Sequence, residues 1–244
     1  MFEEIKNSSD ENLDYSFYEG DKYPGHIVVI GHGVTGNKDR PFVVALGQGL
    51  AQAGISSLRF SFSGNGYSGG KFTDSTISKE VADLGSIFDR LNDYTLCYAG
   101  HSMGGAVGVI RASTDERIKY LISLAGMVDT KGFADREFGD VTPNNGFMWD
   151  EPDCPLSQIY MDDMAKTDSV VNLASEIKVP WLLVHGTEDD VVPIQDSFDI
   201  FAKANEPKEL VKIEGSNHVF GDEHASSMVE NIVTWIETQF TGNQ

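Results

Sequence analysis

Apolar and β-branched runs alternate along the chain with stretches whose apolar positions recur every three or four residues. His26-Ile27-Val28-Val29-Ile30 is apolar almost throughout, as a strand covered on both faces must be. It stops at Gly31-His32-Gly33. Pro41 to Ala53 carries Val43, Leu46 and Leu50 at helical spacing, and Gly54 ends it as a C-terminal glycine often does. Ile55 to Phe62 reads as the next strand, and Leu13 to Tyr18 as a short one before the turn residues Glu19 to Pro24. The Gly-rich run from Ser63 to Gly70 reads as a loop. Ser78 to Leu91 is predicted as a helix with Ser78 as its N-cap and Val81, Leu84, Ile87, Phe88 and Leu91 as its apolar stripe. Further strands are expected at Thr95 to Ala99, Tyr120 to Leu124, Pro180 to His185 and Glu209 to Ile213. Further helices are expected at Met103 to Ala112, Ile194 to Ala204 and Ser226 to Phe240. This alternation predicts an α/β fold, a largely parallel sheet with helices on both faces.

One stretch breaks the rhythm. Gly126 to Val179 separates two strands and far exceeds the ~12–15 residues an unstructured loop usually reaches. It holds Phe133, Phe138, Phe147, Met148, Trp149 and Tyr160 among many acids. We read residues 126–179 as an inserted cap or lid with short helices, within a single domain spanning 1–244. Its large side chains are either cap core or pocket wall.

Composition narrows the classes. The chain has 244 residues, 40% hydrophobic and 23% charged, close to ordinary globular usage. A net charge of −20 repels nucleic acid and anionic lipid, so neither is expected as a partner. An anionic substrate should be disfavoured at the entrance for the same reason. No run approaches the ~18 apolar residues of a membrane span. Met1 to Asp10 lacks the basic start and apolar stretch of a signal peptide, so a cytoplasmic location is expected. Cys97 and Cys154 are far apart and are expected as free thiols. No metal-ligand spacing and no phosphate-binding glycine motif occurs, so neither metal nor cofactor is expected.

The sharpest motif is Gly100-His101-Ser102-Met103-Gly104-Gly105, a G-x-S-x-G between a predicted strand and a predicted helix. A serine at such a sharp turn sits in strained backbone, costing about 1–3 kcal/mol, and a β-carbon two residues to either side would crowd the turn. The hydroxyl is thereby presented at the carboxyl edge of the sheet, where α/β proteins bind ligands. Serine needs a base to take its proton. Of six histidines, His26 and His185 bound strands and His101 lies inside the turn, where its ring should point away from the serine. His32 is expected to support its loop. His218, in the loop after the last strand, leaves the same sheet edge as Ser102 and is the favoured base, with His224 as the lesser candidate. An orienting carboxylate is offered by Glu188, Asp189 or Asp190, which share one loop.

These segments resemble the α/β-hydrolase family. Gly100-His101-Ser102-Met103-Gly104-Gly105, then His185-Gly186-Thr187-Glu188-Asp189-Asp190-Val191-Val192-Pro193, then Gly215-Ser216-Asn217-His218 stand in that family's order, with His32-Gly33 after the early strand. The resemblance implies Asp189 as the catalytic acid. It also implies an oxyanion hole built from the backbone N–H groups of Val34 and Met103. His32 to Lys38, Leu58 to Ser68 and Gly70-Lys71-Phe72 are similar to bacterial cinnamoyl and feruloyl esterases. Several of those have Gln where this chain has Met103. The implied activity is hydrolysis of a small-molecule carboxylic ester, short-chain or hydroxycinnamoyl, by Ser102, His218 and Asp189. A thioesterase, a lactonase or an aminopeptidase-like hydrolase would use the same triad. Asp150, Glu151 or Asp153 could then anchor an ammonium. A non-catalytic ligand-binding homologue is the rival outside enzymology. Monomer and dimer are both open.

Overall fold

The structure is a computed structural model that describes residues 4–242; residues 1–3 and 243–244, and the side chain of Asp222, lie outside the described residues. The strands are β1 (Tyr15–Tyr18), β2 (His26–Gly31), β3 (Ser57–Phe60), β4 (Thr95–His101), β5 (Ile118–Leu124), β6 (Trp181–Gly186) and β7 (Lys208–Ile213). The helices are α1 (Pro41–Gln52), α2 (Ile77–Arg90), α3 (Met103–Ala112), α4 (Thr130–Phe138), α5 (Gln158–Thr167), α6 (Ile194–Lys203) and α7 (Asp222–Thr241). The strands form one sheet in the order β1-β3-β2-β4-β5-β6-β7. Within this sheet, among the described residues, the β1–β3 pairing is antiparallel and the others are parallel. The strand order reverses at β2, between β3 and β4, so the crevice beyond these carboxyl ends is where this architecture binds ligands.

The uniformly apolar strands are explained by two cores. Ile27 and Val29 of β2 face a core shared with Leu84, Ile87 and Phe88 of α2 and Val107 of α3. Val28 and Ile30, next to them in sequence, face the other core, with Leu46 and Leu50 of α1 and Ile232 and Ile236 of α7. Helices therefore cover both faces, as the alternation predicts.

Two helix starts differ from expectation. Thr76 is the N-cap of α2, its hydroxyl accepting from the Lys79 N–H at 3.1 Å. Ser78 lies inside the first turn, and its N–H and hydroxyl donate to Asp163 of α5 at 2.9 and 2.6 Å. Helix α7 begins at Asp222, four residues before the expected Ser226. Acidic Glu223 suits a helix N-terminus, whereas the buried stripe starts only at Met228.

Between β5 and β6, α4 and α5 pack together, flanked by 3-10 turns at Met148–Asp150 and Val171–Glu176. The Thr130 hydroxyl donates to the Met164 carbonyl at 2.9 Å and so ties the two helices together. The large side chains divide here. Phe133 and Phe138 are buried in core, Phe147 is exposed, and Met148, Trp149 and Tyr160 line cavities.

Candidate active site

Ser102 joins β4 to α3 with φ 53° and ψ −120°, a left-handed conformation for a residue with a side chain. Such geometry costs about 1–3 kcal/mol and persists only where its surroundings enforce it. The surroundings are visible. The Ser102 N–H donates to the Leu124 carbonyl at 3.0 Å, and the Ser102 carbonyl accepts from Gly105 and Met127 at 2.8 and 3.1 Å. A β-carbon on Gly100 would lie 2.1 Å from the Gly104 carbonyl oxygen, and one on Gly104 would lie 2.5 Å from that of His32. The turn closes only with glycine at both places.

The loop after β2 crosses directly over this serine; a β-carbon on Gly33 would sit 2.6 Å from that of Ser102. His32 fixes the loop. Its Nδ1 bonds the Gly33 carbonyl at 2.8 Å and its Nε2 accepts from the Phe62 N–H at 3.0 Å. That pair requires the Nδ1–H tautomer. Burial pushes the His32 imidazole down to about 4, so it is neutral at neutral pH. Beside Ser102, the N–H groups of Val34 and Met103 donate to no group among the described residues, and that of Met103 opens α3, where a helix has no internal acceptor.

His218 comes from the loop after β7. Its Nδ1 lies 2.8 Å from Asp189 Oδ2. The Asp189 side chain is fully buried and has a rich set of donors. Oδ1 accepts from the N–H groups of Val191 and Val192 at 3.0 and 2.9 Å, and His185 Nε2 lies 3.2 Å from Oδ2. Burial alone would raise this carboxyl. The hydrogen bonds from His185 and His218 outweigh it and hold the group below the usual carboxylate range. Glu188 and Asp190 are exposed. Ser102 and His218 line one cleft of ≈ 780 Å³, its open mouth included, together with Phe42, Trp149, Val191 and Val219. No hydrogen bond joins Ser102 Oγ to the His218 imidazole; such bonds often tighten only around substrate.

The other histidines separate cleanly. His185 bonds Ser197 Oγ at 2.7 Å and the Val192 carbonyl at 2.9 Å, shaping the acid's loop. His26 packs on Phe240. His101 departs from expectation. Instead of pointing away, its ring lines the cleft and packs against His218, with centroids 4.6 Å apart. Its Nε2 donates to the His218 carbonyl at 2.9 Å, and burial, then the His218 charge, hold it well below the ordinary imidazole range. It braces the His218 loop through a contact 117 positions away in sequence, which no local pattern announces. Arg40, bonded to the Thr35 carbonyl at 2.9 Å, also lines the cleft. Asp150, Glu151 and Asp153 do not. Cys97 and Cys154 are free thiols. Among the described residues no cluster of three or more His, Cys, Asp or Glu could hold a metal ion. Nor is any helix among them long and apolar enough to cross a membrane.

A sheet of this order carrying a strained serine after β4, an acid after β6 and a histidine after β7 is the α/β-hydrolase arrangement. Comparison with known proteins makes this particular: the chain belongs to the prolyl oligopeptidase family (peptidase S9), whose profile matches residues 48–243. Est1E from Butyrivibrio proteoclasticus, solved with ferulic acid bound, superposes with a TM-score of 0.85 at 25% identity, covering 98% of this chain and 99% of that one. The human mitochondrial palmitoyl-protein thioesterase ABHD10 is 28% identical over 199 residues, 78% of this chain and 64% of the relative. The uncharacterised protein YfhR of Salmonella typhi is 35% identical over 86 residues, which span 34% of this chain and 29% of that relative. The chain thus has the fold of the α/β-hydrolase superfamily.

Proposed function

We propose that the chain is a serine carboxylic-ester hydrolase working through an acyl-enzyme, on short-chain or hydroxycinnamoyl esters. The observation that carries this reading is the juxtaposition of strained Ser102 with an Asp189-held His218 in one cleft. Ser102 Oγ attacks the ester carbonyl while His218 Nε2 takes its proton. Asp189 holds Nδ1–H and stabilises the imidazolium that forms. The N–H groups of Val34 and Met103 donate to the oxygen that develops negative charge; each such donor is worth about 2.7–4 kcal/mol in related chemistry. The intermediate collapses, His218 returns the proton to the departing alcohol, and an acyl-serine is left. Water, deprotonated by His218, then releases the acid and regenerates Ser102.

An apolar cleft beneath Trp149, with residues 126–179 acting as the cap, suits a small or medium ester. The ferulic acid bound to Est1E supports the aromatic option. Thioester hydrolysis is the second reading, favoured by the likeness to human ABHD10. An aminopeptidase role fits less well, because the ionisable side chain lining the cleft apart from the histidines is cationic Arg40, not an acid. The same arginine works against the expected rejection of anionic substrates. Values of kcat/KM across acetyl to dodecanoyl esters, methyl ferulate, an acyl thioester and aminoacyl p-nitroanilides, at two ionic strengths, test the assignment. Short or hydroxycinnamoyl esters should lead, and a fluorophosphonate should label Ser102. An optimum at dodecanoyl or longer, or turnover confined to the anilides, would overturn it. Ser102→Ala should lose about 10⁴-fold or more in turnover with an unchanged melting profile.

A further inference from the structure

A groove of ≈ 790 Å³, its open mouth included, runs on from the Ser102 cleft. Arg40, Phe42 and Val219 line both, and Val219, the residue after His218, is left 47% exposed at the junction. Beyond the junction the walls are apolar: Pro41 and Ala45 of α1, Phe220, and Ala225 of α7. Arg40 is the cation at the junction. Acids outnumber bases 38 to 18 in this chain, and Arg59, Arg111, Arg117 and Arg136 each pair with a carboxylate. Among the described residues Arg40 pairs with none. Its guanidinium is nonetheless held in place. Nη2 donates to the Thr35 carbonyl at 2.9 Å, in the loop that carries the Val34 N–H. The N–H groups left over form a fork that matches the oxygens of a carboxylate or a phosphate.

We propose that Arg40 and this groove form a leaving-group subsite for an anionic alcohol with an apolar tail. The proposal rests on the ester-hydrolase reading. The departing oxygen must meet His218 Nε2 to take its proton, and the groove opens at Val219 and Phe220, the two residues that follow His218. The alcohol therefore lies on this side of the scissile bond, and the acyl group on the side of Trp149 and Val191. Arg40 stands where the cleft passes into the groove, so the anionic group sits close to the ester oxygen, ahead of the tail. The tail follows the apolar walls. A net charge of −20 repels anions over most of the surface. The Arg40 guanidinium reverses that locally and selects an anion that reaches it. The chemistry it recognises is an alcohol bearing anionic oxygens, which fits a hydroxy acid or a phosphorylated alcohol.

Acetate release from matched acetyl esters tests this in the intact protein. 3-Acetoxyoctanoate carries a carboxylate and a pentyl tail. 3-Acetoxyoctanamide removes the charge, 3-acetoxybutanoate shortens the tail, and 2-acetoxyheptyl phosphate exchanges carboxylate for phosphate. At 20 mM salt the wild type should favour 3-acetoxyoctanoate, or the phosphate, over the amide by about tenfold or more in kcat/KM, and the ratio should shrink at 500 mM. The better of the two anions tells a hydroxy acid from a phosphorylated alcohol. Arg40→Gln should bring the ratio close to one, while Arg40→Lys, which keeps the charge without the fork, should retain part of it. Each ratio compares two substrates of one variant, so a general loss of turnover in Arg40→Gln does not imitate the result. The octanoate should exceed the butanoate by about tenfold, and Ala45→Phe, which fills the groove, should narrow that gap. A wild type indifferent to the charge, a ratio that Arg40→Gln leaves unchanged, or a tail that makes no difference would overturn the proposal. If the protein turned over no ester at all, the hydrolase reading would fall separately. Binding of 3-hydroxyoctanoate against 3-hydroxyoctanamide, followed by ligand NMR in wild type and Arg40→Gln, would still decide the subsite. A preference for the acid that is lost in the variant supports it, and equal binding of acid and amide overturns it.

Discussion

Asp189 and Glu80 are both buried acids near the same end of the sheet, and their surroundings treat them in opposite ways. Asp189 receives two backbone N–H groups and two imidazoles, so its charge is supported where burial alone would suppress it. Glu80 receives one long contact from the Ser75 hydroxyl, at 3.3 Å, and its other oxygen receives nothing. Burial, then the charge of Asp83, wins there and raises the carboxyl well above its usual range. Burial alone therefore does not set a carboxyl's role; the donors in reach do. The first environment builds an anion that steadies an imidazolium. The second favours the protonated acid over its anion.

The largest effect that would break this contrast is on activity. Asp189→Asn keeps the shape but removes the anion and lets the imidazole adopt the wrong tautomer. The equivalent change in a serine protease lowers kcat by about 10⁴, and a similar loss is expected here in ester turnover. A variant retaining a tenth of wild-type kcat would show that His218 does not depend on this carboxylate.

The next effect is on stability. His32, neutral through burial with its pKa pushed down to about 4, resists protonation in the folded chain, while the unfolded chain takes up the proton near 6.5. Its contribution is complete above pH 6.5 and is lost as pH falls towards 4, roughly 3 kcal/mol across the window. His101 is shifted in the same direction. The stability difference between wild type and His32→Gln, from urea unfolding at pH 7.5 and 4.5, should narrow or reverse at the lower pH. A difference independent of pH would mean that His32 is charged when folded.

Glu80 has the opposite sign. Its folded pKa is raised, so its contribution is complete below about 4.5 and is lost as pH rises through the raised value. Glu80→Gln cannot ionise and should gain in melting temperature over wild type between pH 5 and pH 8. Asp189→Asn should lose most at neutral pH and converge with wild type only in strong acid, because the Asp189 carboxyl is held low. If the two variants followed the same pH trend, the contrast between the two acids would be wrong.

Much of the first environment is legible in the sequence because it is written in contiguous motifs. Gly100 to Gly105 dictates the turn at Ser102. The loops holding Asp189 and His218 each follow a recognisable strand. The second environment is not contiguous, yet it left a trace. Ile77, Glu80, Leu84 and Ile87 follow one helical stripe and are all buried, so an acid in that stripe marks a buried carboxyl. Tyr160 is harder to foresee, since nothing local in 126–179 tells a core ring from a cavity wall; that depends on how α5 docks on α2. The position of His101 is set by rings from two distant elements, Phe42 and His218. The N-cap of α2 was hidden because Thr76 and Ser78 are both good capping residues, and only the Asp163 contact from α5 shows that Ser78 is engaged elsewhere.

The smallest expected effect sharpens the comparison from within one loop. Glu188 and Asp190 flank Asp189 and carry the same formal charge, but both are exposed. An exposed charge acts on His218 through solvent, where about 0.1 M salt screens interactions beyond about 10 Å, and exposed pairs are typically worth less than about 1 kcal/mol. Glu188→Gln and Asp190→Asn should therefore change kcat/KM by no more than about threefold, and less as salt is raised. The effect of Asp189→Asn should be insensitive to salt, because the wild-type carboxylate, its side chain fully buried, meets the imidazole directly at 2.8 Å. Measuring all three variants at 20 and 500 mM salt separates contact from field. A loss of a hundredfold or more in Asp190→Asn would place the working carboxylate one residue further along the loop, and the four donors around Asp189 would then be support for the turn rather than for the reaction.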